Sequence, residues 1–343
     1  MRNKEILLIL DSNNKYLQKI HQYESINLDI FIKELERLGY KVNKTNYFDI
    51  ALNIDKIKDK VIVYTSNQEP NYKKYIEDII YTLKKDNFII PGYDSLIGHE
   101  NKGYQELQRK KLKLDSLNSY LISDINDLNK LTIKYPIIVK RPNSCSSKGV
   151  FLAKNEKELN KIIKSNFLKK EFNYYLLVLK KFVKNILHKK DSWTLYKLSD
   201  YNYTRFILQD FIPNLNGDYK ILVYGNKYYG LKRGVKKGDF RASGSGIHNY
   251  KEEIPKEVLD FAKSCFEKLD IPFAGFDIAI DAKKKCYLIE YQSIHIGPVT
   301  LMHSEKYYTY ESNKWNRHNE ESILELEYAR AIDLYLKRKK EGK

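Results

Sequence analysis

Residues 275–292 read GFDIAIDAKKKCYLIEYQ. Two apolar runs of strand length flank the lysine-rich turn AKKK at 282–285, the signature of an antiparallel hairpin. If the loop is even and Ala282 faces Lys285, the register sets Asp277 directly opposite Glu290. Period-two alternation adds Gln292 to the same face. Like charges opposed across a ladder destabilise a sheet. Either a cation sits between the two acids or one carboxyl is protonated. A neighbouring Lys or Arg could supply that charge, and an odd loop would break the register altogether. The functional reading is a hard cation such as Mg²⁺, held by carboxylate and amide oxygens and carrying a phosphate.

A second stretch, YPIIVKRPNSCSSKGV at 135–150, runs a buried-type strand into Lys140 and Arg141 and then into a loop of small residues. Small residues let backbone N–H groups approach an anion, and a lysine acts on phosphate as a point charge. The bland alternative is a strand end with snorkelling cations. Neither GxxxxGK[ST] nor a kinase HRD or DFG motif occurs in the chain.

Around these stretches the chain organises itself by pattern. Residues 1–98 alternate strand and helix, from EILLIL through SINLDIFIKELERLGY to NFIIPGYD, which implies a mostly parallel, Rossmann-like sheet. No GxGxxG follows the first strand, so a dinucleotide role has no support. A helix, KGYQELQRKKLKL, leads on from there. Residues 206–300 read as β-rich, and the tail at 303–343 as mostly helical.

The 343 residues carry 61 Lys and Arg against 44 Asp and Glu, a formal charge of +17, which points to anionic partners or to a solvated lysine surface. No RNA-recognition, helix-turn-helix or zinc-finger signature is present, so nucleic acid is not the expected partner. The basic, aromatic segment 163–203 is either a solvated helical face, a guide for an acidic acceptor or an oligomerisation element. The apolar run ILLIL at 6–10 is far below the ~20 residues of a membrane span, and no cationic leader precedes it. Cys145, Cys265 and Cys286 lack metal spacing. The expectation is reduced thiols in a cytoplasmic protein without membrane contact.

In this order, the pieces resemble the ATP-grasp family of carboxylate–amine ligases, in particular D-alanine–D-alanine ligases and ligases that add glutamate to peptides. The resemblance covers roughly residues 100–300. It implies an α/β protein, α+β in its grasp part: an N-terminal Rossmann-like pre-ATP-grasp domain at 1–112, a central grasp subdomain at 113–205, and a C-terminal grasp subdomain with helical tail at 206–343. It gives Lys140 and Lys102, the latter in ENKGYQELQ, to phosphates, with Ser146 and Ser147 in the mobile loop. ILQDFIPNLNGDYKILVYG at 207–225 resembles the adenine hinge. There the backbone of Gln209, Asp210, Phe211 and Ile212 would read the base, and Asp218 would take the ribose hydroxyls. LKRGVKKGDFRASGSG at 231–246 would bring Arg233 and Arg241 to the transferring phosphoryl group. Asp277, Glu290 and Gln292 would hold magnesium, two ions in all, with the family's thirteen-residue spacing between the acids but Gln where Asn is usual.

The activity so implied is ATP-dependent amide bond formation through an acyl phosphate, releasing ADP and phosphate. Its substrates would be small-molecule or peptide carboxylates and amines of anionic character, and the family's habit of forming homodimers extends to this chain as an open expectation. The rivals are a small-molecule kinase on the same scaffold and a non-catalytic basic binding module. Arg233 would face Asp218 if Gly225–Asn226 is a hairpin turn, which allows a plain cross-strand ion pair. No histidine is assigned a role.

Overall fold

A computed structural model describes residues 4–16, 26–114, 117–143, 149–168, 172–187, 192–200, 203–236 and 238–342. Ser146 and Ser147 lie outside the described residues, as does Cys145. The chain forms two compact units. One comprises Met1–Glu100, Leu112–Asp115 and Asn214–Lys343; the other comprises Asn101–Lys111 and Ser116–Pro213.

The first unit opens with β1 (Glu5–Leu10), α1 (Leu28–Arg37), β2 (Lys41–Asn46), α2 (Tyr47–Leu52), β3 (Val61–Val63), α3 (Pro70–Leu83), β4 (Phe88–Ile90) and α4 (Tyr93–Gly98). The strands pair in parallel in the order β2-β1-β3-β4, the Rossmann-like sheet that the alternating pattern predicts. Side-chain caps start the helices where the periodicity begins: Asn27 accepts from the Ile30 amide, and Asn46 from the Asp49 amide. The second cap explains α2, since KVNKTNYF contains both a strand end and a helix start.

The second unit begins with α5 (Lys102–Leu112) and contains β5 (Ser119–Asp124), β6 (Ile137–Lys140), β7 (Val150–Ala153), α6 (Glu156–Asn166), α7 (Phe172–Ile186), α8 (Ser192–Asp200) and β8 (Tyr203–Asp210). Its sheet is antiparallel in the order β5-β8-β6-β7. Ile137, Val139, Phe206 and Leu208 on one side of this sheet pack against Leu159 and Ile163 of α6.

The chain then returns to the first unit with β9 (Asp218–Tyr224), β10 (Lys227–Arg233), β11 (His248–Asn249), α9 (Lys256–Leu269), β12 (Phe273–Ile280), β13 (Cys286–Gln292), α10 (Val299–Met302), β14 (Tyr307–Glu311), β15 (Lys314–His318) and α11 (Leu324–Lys340). These strands form a sheet ordered β13-β12-β9-β10-β14-β15, with β11 on β10. The tail is therefore not mostly helical: YYTYESNKWNRH folds as a hairpin before α11. Ser312 and Asn313 both take positive φ, 50° and 61°, the pattern of a two-residue primed turn matched to strand twist. Both sheets of this unit share a core. The Tyr328 ring of α11 lies 4.3 Å from Phe273 of β12 and 5.8 Å from Phe31 of α1, centroid to centroid.

The β12–β13 hairpin departs from the even-loop reading in one respect. Beyond the acids the pairs run Ile278↔Leu288, Ala279↔Tyr287 and Ile280↔Cys286, one residue out of step with Asp277↔Glu290, Phe276↔Tyr291 and Gly275↔Gln292. The loop is odd, with Asp281 Oδ1 accepting from the amides of Lys283 and Lys285 and Lys284 at φ 63°. A bulge at Ile289 absorbs the extra residue, so the two acids still meet.

Gly217 enters β9 at φ 109°, and a Cβ there would lie 2.0 Å from the Arg233 carbonyl oxygen of β10. Backbone cannot yield as a side chain tip can. Gly217→Ala is expected to destabilise the first unit by at least roughly 1–3 kcal/mol, read as a lower denaturant midpoint. An unchanged midpoint would show that β9 does not need this close approach.

Candidate active site

One face of the large sheet gathers charge from four neighbouring strands. β10 and β9 pair Arg233 with Asp218, β9 and β12 pair Lys220 with Asp277, and β12 and β13 pair Asp277 with Glu290. Arg233 is buried and holds Asp218 in a fork, Nε to Oδ1 at 2.7 Å and Nη2 to Oδ2 at 2.8 Å. The same Nη2 lies 2.8 Å from Asp277 Oδ2. Lys220 Nζ stands 3.9 Å from Asp277 Oδ1. Burial works against the charge on Arg233, but Asp277 and Asp218 outweigh it and push its pKa up, so the guanidinium stays protonated. Burial pushes the Asp218 carboxyl up, with Arg233 opposing and Asp277 reinforcing the rise.

The protein's own Arg233 thus supplies a cation to Asp277, one of the two opposed acids. Asp218, expected on ribose hydroxyls, has both oxygens engaged by Arg233 and is 4% exposed. Asp277, Glu290 and Gln292 are brought together as expected. Gln292 Nε2 donates to Glu290 Oε1 at 2.8 Å; its own amide oxygen is buried and makes no hydrogen bond of good geometry among the described residues, with the Gln292 side chain close enough to the His99 ring to favour its protonated form. An orphaned buried carbonyl is costly unless something meets it. Two carboxylates with that oxygen fit a hard divalent cation. Among the described residues no group of three or more His, Cys, Asp or Glu is clustered for a metal, so a cation here would depend on the amide and on ligands from outside the chain.

Arg241 sits apart in the loop between β10 and β11. Its Nε and Nη2 bond the two oxygens of Asp239, at 2.9 Å each. That guanidinium, helped by the Arg241 and Phe240 amides, holds the Asp239 carboxyl down at about 2 against the cost of burial.

The second unit carries the remaining expected residues. Lys140 ends β6 and is 6% exposed; Lys102 starts α5 at 7%, with its amide donating to the Pro142 carbonyl at 3.0 Å. Gln209 and Asp210 lie in the β8 ladders, opposite Ser119 and Ile137, while Phe211 and Ile212 follow the strand's end. Gln209 Nε2 approaches Glu106 Oε1 at 3.4 Å. Glu106 also takes Arg109 and the Ser119 hydroxyl, and all four side chains are buried. Glu106 and Arg109 escape the motif-based reading. Their signal was present: Lys102, Glu106 and Arg109 recur at helical spacing, so α5 buries a charged face rather than an apolar one.

Another unassigned group lies in the first unit. His295 Nε2 is 3.0 Å from the Ser66 carbonyl, so it carries the proton and donates. Its ring lies 4.7 Å from that of His99. Burial, then His295 and Lys73, hold His99 well below its ordinary pKa, so it is neutral.

A scan against protein-family models finds no match, and no curated protein matches the sequence. Solved structures do. D-cycloserine synthetase aligns over 96% of this chain and 98% of its own, at 9% identity and a TM-score of 0.55. The ADP complex of N5-carboxyaminoimidazole ribonucleotide synthetase aligns over 86% of this chain and 71% of its own, at 13% identity and 0.50. N5-carboxyaminoimidazole synthetase from Staphylococcus aureus, complexed with ADP, gives 85%, 72%, 15% and 0.50. The chain has the ATP-grasp fold. Its Rossmann-like N-terminal sheet and its two antiparallel sheets are the parts that the family resemblance implies for such a fold.

The Asp239–Arg241 pair gives a titration test. The folded carboxyl is depressed, so the pair's contribution is complete above the unfolded pKa of about 3.9 and is lost as pH falls toward 2. Carbon-detected NMR should find the Asp239 midpoint near 2, and Arg241→Gln should return it to the ordinary carboxylate range. A wild-type midpoint already in that range would dissolve the pair.

Proposed function

We propose that the protein is an ATP-dependent, ADP-forming carboxylate–amine ligase that makes an amide bond. The observation that carries this reading is the row of Glu290, Asp277 and Arg233 across one sheet face, ending at the orphaned amide oxygen of Gln292, in a chain with the ATP-grasp fold.

A carboxylate is a poor electrophile because its charge repels a nucleophile and it has no leaving group. In the proposed reaction, substrate carboxylate oxygen attacks the γ-phosphorus of ATP, the bond to the β-bridging oxygen breaks, and ADP departs. The amine then attacks the acyl carbon, the C–O bond to phosphate breaks, and the amine proton leaves with the products. Positioning and charge neutralisation do most of the work.

Lys102 and Lys140 serve as the phosphate-binding cations of the second unit, and the backbone at 209–212 as the adenine contact. In the first unit, Asp218 and Asp277 occupy the Nε and Nη2 edge of Arg233, and Nη1 makes no hydrogen bond among the described residues. This leaves a fixed, protonated donor for an anion at no orienting cost. A divalent ion on Asp277, Glu290 and Gln292 would supply charge neutralisation for phosphate oxygens. For Arg241 to present Nε and Nη2 to a phosphoryl group, its fork on Asp239 would have to open.

Glu290→Gln is expected to lower ATP turnover by at least ~100-fold, the scale of a lost charge-stabilising group, with thermal unfolding unchanged. Near-normal turnover would remove the metal assignment. Lys140→Ala should weaken ATP binding by calorimetry. With hydroxylamine as acceptor, a ligase converts its carboxylate substrate to a hydroxamate while releasing ADP; a stable phosphorylated product instead would make the protein a kinase.

A further inference from the structure

The helical pair of the second unit is built inside out. In α7 the half-buried positions are Tyr174, Leu177, Lys181 and Lys184, spaced three and four apart on one face. The opposite face is apolar and open to solvent. Leu179 is 59% exposed, Phe182 62% and Ile186 61%, with Leu176 and Val183 beside them. A surface helix ordinarily turns its apolar stripe to the core. In α8, Trp193 is 60% exposed and stacks on Tyr196 at 6.1 Å, with Lys197 Nζ 4.9 Å from the Trp193 ring.

We propose that this pair docks the protein on an anionic lipid bilayer surface. Charge selects the occupant. The segment 163–203 holds nine lysines against three acids, in a chain of net charge +17. A second copy would bring like charge to like, whereas an anionic headgroup layer attracts it. Leucine and phenylalanine on one face of α7, with Lys181 and Lys184 on the other, is the chemistry of a helix lying in the interface. The 15 residues of α7 span about 22 Å, and no helix among the described residues is long and apolar enough to cross a membrane. The apolar face would enter the acyl boundary, with the lysine stems reaching headgroup phosphates.

The test is sedimentation of the full chain with vesicles of phosphatidylcholine alone or mixed with phosphatidylglycerol. Binding is expected to the mixed vesicles, to fall several-fold at high salt, and to be lost in L179Q/F182Q. Tryptophan emission should shift to the blue on binding in wild type and not in Trp193→Phe. These side chains are exposed, so the variants should keep the wild-type circular dichroism and melting temperature; should the double variant fail that control, Trp193→Gln and Ile186→Gln, each made singly, provide the comparison. Failure to sediment with the mixed vesicles overturns the proposal. So does retention of binding by folded variants, which would assign it to general surface charge. A dimer by analytical ultracentrifugation that these substitutions dissolve, without vesicle binding, would give the face to a second copy instead.

Discussion

A buried guanidinium that bonds carboxylates on the neighbouring strands β9 and β12 holds the charged face of the large sheet together. Asp277 and Glu290 face each other across β12 and β13, and Asp218 stands two residues before Lys220 on the intervening strand β9. Three acids on one face of three consecutive strands would repel strongly where water is thin. Arg233 reaches over β9 from β10 and bonds two of them at once. Lysine could not replace it, because a point charge cannot fork onto Asp218 and still touch Asp277. Removing one partner of such a buried network costs roughly 3–5 kcal/mol, chiefly because the remaining charges are stranded.

Much of this was legible in the residues. The parallel N-terminal sheet followed from strand–helix alternation, and the facing of Arg233 and Asp218 from the two-residue turn at Gly225–Asn226. The meeting of Asp277 and Glu290 was legible too, but for an incomplete reason. The loop is odd, and the bulge at Ile289 restores the pairing. Nothing in CYLIEYQ marks Ile289 as the extra residue, because a bulge is a compromise between loop closure and face matching that only the assembled ladder reveals. The hairpin at 307–318 was readable in principle from Ser312–Asn313, a turn pair without the usual glycine. Alternation there is masked by tyrosines, which suit either face.

The site was less legible than the fold because motifs name residues and not their partners. Asp218 stands in the stretch that resembles a nucleotide hinge, yet its oxygens face an arginine fifteen positions along the chain. Arg241 has an acid two residues away, and a short-range ion pair of this kind depends on loop geometry that composition does not encode. Glu106 and Arg109 were visible only as a helical stripe, and a charged stripe reads by default as solvated. That default fails on α5, where the stripe meets Gln209 and Ser119 and is buried. It fails in the opposite sense on α7, where an apolar stripe that reads as core lies in solvent.

The charge count on the working face bears on what it can accept. Glu290, Asp277 and Asp218 contribute three negative charges, and Lys220 and Arg233 two positive ones. Among these five side chains the surplus is a single negative charge, toward the β13 end, where Glu290 accepts from the Gln292 amide. The positive end of the row is Arg233, with one nitrogen unspent. The face is therefore a dipole laid across four strands, acidic at one edge and cationic at the other, with an uncapped amide oxygen beside the acidic edge. A neutral metabolite would gain little from that gradient, and a bare polyanion would be repelled by half of it. The proposed substrate, a polyphosphate that brings its own divalent cation, would suit both ends, with Glu290 available to the cation and Arg233 to phosphate oxygens. In that proposal Arg233 would serve the anion through Nη1 while its Nε and Nη2 stay on the two aspartates, which hold it rigid.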